Sequence, residues 1–445
     1  MASLRRREEQ IRRLIGERLL QNGLYIMGTT VVTSVFGLVY WIVATHDLRS
    51  EEVGRGAALL SAVLLVSVFT NFGVGQLYIS RLHSRADGHE WSLTVTTGLA
   101  ITVTASVIGG VIAAVVVPAL RHSIGGLVFL LIPVGVAVAA CSAVLDNVCV
   151  AERKAKPSMM RNGGMAVSRL VLIAITPLVP VRGAVWILVT WVGSYALFDA
   201  IAIVRMLPSL RPGFRLTLSG WRRELIAMRG LLAGHQAINM GEQSSQLVLP
   251  LLVTARLGTA QGAFFYTTFM VANGVFFIAP AICNSLFAEG ARDPAEVGRH
   301  VRAAIRYIVV LAGPPALILL VAGRLILHLF GARYAQAGGV LLLTLVGAAV
   351  FDAGGLLVTS VLRVRERLRQ GAIATFSGLA LAVVSTWALL PPLGLVGSGV
   401  GWAIGKAGGL IVGLCFMAYD RRGGKHAGDY AGAPEAAPTP ETAPG

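Results

Sequence analysis

Residues 235–246 read HQAINMGEQSSQ and sit inside an apolar segment of membrane-spanning length, about Leu231 to Leu257. At about 100° per residue, His235, Gln236, Asn239, Glu242, Gln243 and Gln246 fall within one arc of roughly 120°. Ala237, Ile238, Met240 and Leu247 take the opposite side. A spanning helix cannot turn such a stripe to lipid, because unpaired polar groups in hydrocarbon cost several kcal/mol each. The stripe must face other helices or a water-filled cavity. Hydrogen bonding between helices is one reading. The lining of a transport cavity is the other. Glu242 favours it, since a carboxylate inside a membrane points to function.

The rest of the chain supports a membrane setting. It has 445 residues, 55% hydrophobic and 13% charged, with a mean hydropathy of +0.72. Soluble domains carry about 25% charged residues. The formal net charge is +16. In a membrane protein that excess marks cytoplasmic loops and anionic lipid. No aromatic-interleaved basic motif supports a nucleic-acid partner. Cys141, Cys149, Cys283 and Cys415 lie in or at the ends of apolar segments and read as small core residues, not as a disulfide set or a metal site.

Residues 4–20, LRRREEQIRRLIGERLL, place Ile11, Leu14, Ile15 and Leu19 at helical spacing among arginines. This predicts an interfacial amphipathic helix on an anionic leaflet. No apolar core with a small-residue cleavage site follows, so it does not read as a cleavable signal. Twelve apolar runs follow, at about 24–44, 56–80, 93–118, 124–150, 164–181, 184–207, 232–256, 262–287, 303–323, 336–362, 371–390 and 394–419. The expected organisation is an amphipathic segment (1–22), a first six-helix lobe (23–207), a basic linker (208–230), a second six-helix lobe (231–419) and a disordered tail rich in Ala, Pro and Gly (420–445). Loop charge sets the orientation. Of the 38 Lys and Arg, Arg169 and Lys406 lie within spans, seven lie in one set of alternate loops and 29 in the set with both termini. Both termini are therefore expected in the cytoplasm.

The halves resemble each other. THDLRSEEVG (45–54) follows span one and TARLGTAQG (254–262) follows span seven. AER (151–153) after span four mirrors RER (365–367) after span ten, and Gly183 and Trp191 stand 211 residues before Gly394 and Trp402. Six spans per half keep the repeats parallel, a transporter signature with substrate between the halves.

No catalytic or nucleotide motif is present. GWAIGKA at 401–407 lacks the spacing and the Ser or Thr of a phosphate-binding loop. No enzyme activity, cofactor or metal is expected. Gly397, Gly401, Gly405 and Gly409 recur every four residues and predict a ridge that a neighbouring helix approaches closely. Lys406 lies too deep in its span to snorkel comfortably, and needs a carboxylate, a phosphate or water. Asp199 and Asp352 are deep enough to be its partners, or to carry a coupling ion as Glu242 could. Asp146 and Arg169 read as interfacial anchors. Gln76 and Arg81 point toward the cytoplasmic mouth, where an arginine suits a phosphate.

The stretches LRSEEVGRGAALLSAV (48–63), NFGVGQLYISR (71–81), the long run from Ala255 to Arg292, LHLFGARYAQAGGVLLLTLVGA (327–348) and PPLGLVGSGVGWAIG (391–405) resemble the polysaccharide flippase branch of the multidrug/oligosaccharidyl-lipid/polysaccharide exporter superfamily, the Wzx-type transporters. The resemblance implies an all-α membrane protein with two six-helix lobes around a cavity. It also implies alternating access and export of a polyprenyl-pyrophosphate-linked oligosaccharide across the inner membrane. Two departures count against a peptidoglycan role: twelve spans where lipid II flippases have fourteen, and no arginine in residues 24–44. The expected partners are the lipid-linked oligosaccharide, membrane lipids, H⁺ or Na⁺, and a glycan polymerase or glycosyltransferases. A drug or metabolite antiporter and a non-transporting scaffold for glycan-assembly enzymes are the alternatives.

Overall fold

The computed structural model describes residues 28–29, 32–82, 85, 87–152, 154–178, 183–228, 234–283, 286 and 297–427. The amphipathic segment 1–22 and the end of the tail lie outside this set. All regular structure among the described residues is helical. Twelve long helices carry the fold: α1 (32–47), α2 (Ser50–Thr70), α3 (Gly88–Val116), α4 (Val128–Ala151), α5 (Ala155–Ala174), α6 (Ala184–Ile201), α7 (Gly234–Leu257), α8 (Thr259–Phe276), α9 (Val297–His328), α10 (Ala332–Val364), α11 (Leu368–Leu393) and α12 (Leu395–Ala427). Among the described residues nine are long and apolar enough to cross a membrane, and α1, α5 and α7 are the remainder. α5 and α7 carry the polar faces. α6 continues through a π-helical turn, Ala202–Met206, to Leu210, and α12 runs past the tail boundary read at 420.

The helices pair by one scheme used twice. In the first half α3 packs on α4, α4 on α6, α5 on α6, and α2 on α3 and α4. Six positions later α9 packs on α10, α10 on α12, α11 on α12, and α8 on α9 and α10. α1 lies against α5 through Val32 and Gly163, as α7 lies against α11. Gly183 and Gly394 open α6 and α12 with φ of 79° and 56°, a region that favours glycine, so the spacing read from sequence marks equivalent turns. The other pairing shifts by one. Glu152 N–H donates to Val148 O and Lys154 N–H to Cys149 O, as Arg365 N–H does to Val361 O and Arg367 N–H to Leu362 O. Glu152 therefore corresponds to Arg365, whereas aligning AER with RER equates it with Glu366. α2 and α8 also break alike: α2 ends at Asn71-Phe72-Gly73 before a short helix Val74–Arg81, and α8 breaks at Phe277.

The glycine ridge of α12 is real. A Cβ on Gly397 would stand 2.3 Å from Leu389 O, one on Gly401 2.4 Å from Thr386 Oγ1, and one on Gly405 2.4 Å from Ala382 Cβ. Only glycine lets α11 and α12 approach this closely. Cys141, Cys149 and Cys283 are buried as expected, whereas Cys415 is exposed: it lies on the outer flank of α12, where an apolar thiol can face lipid.

The lobes meet through α2, α7 and α8. A Cβ on Gly54 of α2 would fall 1.7 Å from Thr259 O of α8. One buried core crosses the lobes here, with Trp41, Val53, Leu60, Val253, Phe265 and Leu341 among its members. All belong to the end of the molecule where α1 turns into α2. At the opposite end, which holds the start of α3 and the end of α10, buried clusters stay within one lobe: one joins Tyr78, Trp91 and Leu145, and another Ala279, Cys283 and Ile308. Among the described residues, the cleft between the lobes is sealed at one end only. The linker after α6 docks on the unsealed end of the first lobe, with Arg85 Nη2 donating to Glu224 at 3.1 Å and Thr94 Oγ1 at 2.8 Å.

Candidate functional site

Each lobe buries a set of charges. In the first, Arg161 of α5 is 5% exposed. Its Nη2 lies 2.8 Å from Asp146 Oδ2 of α4, and its Nη1 donates to Asp199 Oδ1 of α6 at 3.0 Å. Ser158 and Asn162, beside it on α5, also donate to Asp146. The expected fifth span starts at 164 and leaves Arg161 in the loop before it. The helix begins at Ala155 instead. Hydropathy missed this start because KPSMMRN is polar in sequence, yet its charge is neutralised inside the lobe. Asp146 is no interfacial anchor, since it shares this guanidinium. A signal was present: two carboxylates in apolar spans of one lobe demand a cation there.

In the second lobe, Lys406 Nζ lies 2.7 Å from Asp352 Oδ1. Of the two partners considered, the structure brings Asp352 to it, while Asp199 goes to Arg161. Glu242 accepts from Thr359 Oγ1 at 3.0 Å and from Arg363 Nη2 at 3.2 Å. The expected tenth span ends at 362 and leaves Arg363 outside it; α10 runs to Val364 and carries Arg363 inward. Glu242, Asp352, Thr359 and Lys406 border a cavity of about 50 Å³ between α7, α10, α11 and α12, room for about three water molecules. Along the α7 stripe, Gln243 is exposed and Gln246 half-buried. The side chains of Gln76, Arg81, His235 and Asn239 lie outside the described residues.

A third feature lies between the lobes. Arg169 of α5 is half-buried, with its guanidinium carbon 3.9 Å from the Trp191 ring centroid and 4.4 Å from that of Tyr195. Trp191 meets Tyr40 edge-on at 6.1 Å, Tyr40 meets Trp41 at 5.4 Å, and Trp41 meets Tyr266 of the second lobe at 4.7 Å. Arg169 thus stands on an aromatic chain that runs across the sealed end of the cleft. Its charge is held by ring faces, an arrangement worth about 2 kcal/mol or more when desolvated. Its Nε has no hydrogen-bond partner among the described residues.

Among the described residues the helices form two parallel six-helix lobes, joined by a buried core at the end where α1 turns into α2. Among solved structures, the chain is similar to an inward-facing multidrug resistance MATE family transporter of the multidrug/oligosaccharidyl-lipid/polysaccharide exporter (MOP) superfamily, with a TM-score of 0.67 and 16% identity over 90% of this chain and 96% of the other. It is similar to the lipid II flippase MurJ in an inward closed conformation, with a TM-score of 0.70 and 11% identity over 89% and 87%. A superfamily transporter from Pyrococcus furiosus, described as having a binding pocket of reverse polarity, gives a TM-score of 0.60 and 16% identity over 92% and 96%. At these identities the likeness is one of fold. No protein-family model and no curated protein sequence matches the chain.

Proposed function

We propose that this protein is an alternating-access flippase that moves a polyprenyl-pyrophosphate-linked oligosaccharide across a bacterial-type plasma membrane. In this reading both termini are cytoplasmic, the unsealed end of the cleft faces the cytoplasm, and residues 23–207 and 231–419 move as lobes. The observation that carries it is Arg169. A guanidinium on aromatic faces inside the membrane, with no carboxylate bonded to it among the described residues, attracts an anionic group such as pyrophosphate. The same geometry disfavours a cationic drug, because the aromatic faces such a drug would use already hold Arg169. Glu242 and Asp352 each have a cation in place, so proton exchange suits them as coupling groups better than Na⁺, which would have to displace a tethered charge.

Binding of undecaprenyl pyrophosphate to the purified protein tests this. A charge-assisted hydrogen bond contributes about 1.5–3 kcal/mol, so Arg169→Ala should weaken binding about tenfold to a hundredfold and Arg169→Lys less. Unchanged affinity in Arg169→Ala would remove the basis of the assignment. The internal pairing of Arg161 and of Lys406 favours a second reading, the non-transporting scaffold. It predicts no lipid-linked glycan movement in reconstituted vesicles.

A further inference from the structure

On the flank of the second lobe, a cavity of about 360 Å³ opens between α8, α9 and α10. Asp352 is the single charged residue among those that line it. The other walls are apolar, with Phe276, Ile305, Ile308, Val309, Ala312 and Ala353 among them. A Cβ built on Gly313, at its rim, meets nothing within 4 Å. α9 packs on α10 and α8, and its outer side is bare: Val310 is 59% exposed and Val321 80%. In a bilayer the cavity therefore opens onto hydrocarbon. Apolar cavities of this kind stay dry and take up apolar molecules, so its occupant is a hydrocarbon chain.

The sequence of α9 says which kind of lipid supplies the chain. Arg302 and Arg306 are exposed and stand one turn apart. Val309 and Gly313 continue the same helical row into the cavity. At 1.5 Å per residue, Arg306 lies about 10 Å from Gly313 along the axis, the offset between a lipid headgroup and its upper chain. Tyr307, 58% exposed, sits at the depth where aromatic rings favour the interface. The row is basic at the unsealed end and apolar further in.

We propose that this flank binds one anionic glycerophospholipid, with its phosphate on Arg302 and Arg306 and one acyl chain in the cavity. The chain covers Asp352 on the side away from Lys406. It excludes water from that ion pair and so strengthens it. The site is separate from the Arg169 cluster, which lies between the lobes, and does not depend on what crosses there.

The test uses full-length protein reconstituted in nanodiscs of phosphatidylglycerol or of phosphatidylcholine, with retained lipid counted by native mass spectrometry. One phosphatidylglycerol should be retained, and phosphatidylcholine at least fivefold less. Arg302→Gln with Arg306→Gln should abolish that preference. Ala312→Trp fills the cavity and should release the lipid with the arginines intact. Ala312→Leu, a milder filling, should lower retention in protein whose melting is unchanged. Equal retention of the two lipids, or full retention by both Ala312 variants, would overturn the proposal. So would displacement of the bound lipid by undecaprenyl phosphate but not by phosphatidylglycerol, which would assign the cavity to the cargo. None of these readouts depends on transport.

Discussion

Removing the charge of Lys406 leaves Asp352 alone in the membrane, 5% exposed. Breaking a buried pair from one side costs about 3–5 kcal/mol, whereas replacing both partners by apolar groups is often neutral. Lys406→Met should therefore lower the abundance and melting temperature of the protein. Lys406→Met with Asp352→Leu should restore both, and lipid-linked glycan export by the double variant separates the roles of the pair. We expect export to stay low, because Lys406 also lies 5.5 Å from the Trp402 ring centroid, where a charge can be handed between partners as the lobe moves. Export at the wild-type level in the double variant would show that the pair only holds helices together. Arg161 belongs to the same scale with a different expectation. It serves two carboxylates and the Ser142 carbonyl, so no single compensating change should rescue Arg161→Met.

At the scale of helices, the α11–α12 contact depends on having no side chains between the backbones. Gly401→Leu would press a Cβ to 2.5 Å from Thr386 N, and overpacking of this kind costs about 1–3 kcal/mol. Gly347→Leu on α10 is the control, because its Cβ meets nothing within 4 Å. Thermal melts in detergent should fall by several degrees for Gly401→Leu and stay or rise for Gly347→Leu. Equal melts would mean that the two helices are not in backbone contact. The number of helices, their division into two parallel lobes and the glycine ridge were all legible in the sequence, because hydropathy and four-residue spacing follow from single positions. The site was less legible. Hydropathy leaves Arg161 and Arg363 in loops because it prices each side chain alone, whereas Asp199, 38 residues from Arg161, and Glu242, 121 residues from Arg363, become neighbours only on folding. The setting of Arg169 is hidden in the same way: its aromatic partners Trp191 and Tyr195 on α6 become adjacent only on folding.

At the scale of the whole molecule, the decisive property is that, among the described residues, hydrophobic burial between the lobes is confined to one end. The seal includes Val253, fully buried on α7, and the backbone contact of Gly54 with Thr259. Toward the unsealed end the same helix exposes Gln243. A membrane-impermeant thiol reagent should therefore reach Gln243→Cys from the terminal side only, and Val253→Cys from neither side. The background must lack Cys415, the exposed native thiol. Inside-out vesicles should label Gln243→Cys quickly and intact cells slowly, if the termini are cytoplasmic as the loop charge requires. Adding Gly54→Leu pushes α2 away from α8, weakens the seal and leaves the unsealed end untouched. Labelling of Gln243→Cys from intact cells should then rise severalfold, because the opposite opening gains population. Equal labelling from both sides without Gly54→Leu would mean that the cleft is an open channel. No rise with Gly54→Leu would mean that this contact does not hold the closed end, and that the two lobes are joined elsewhere.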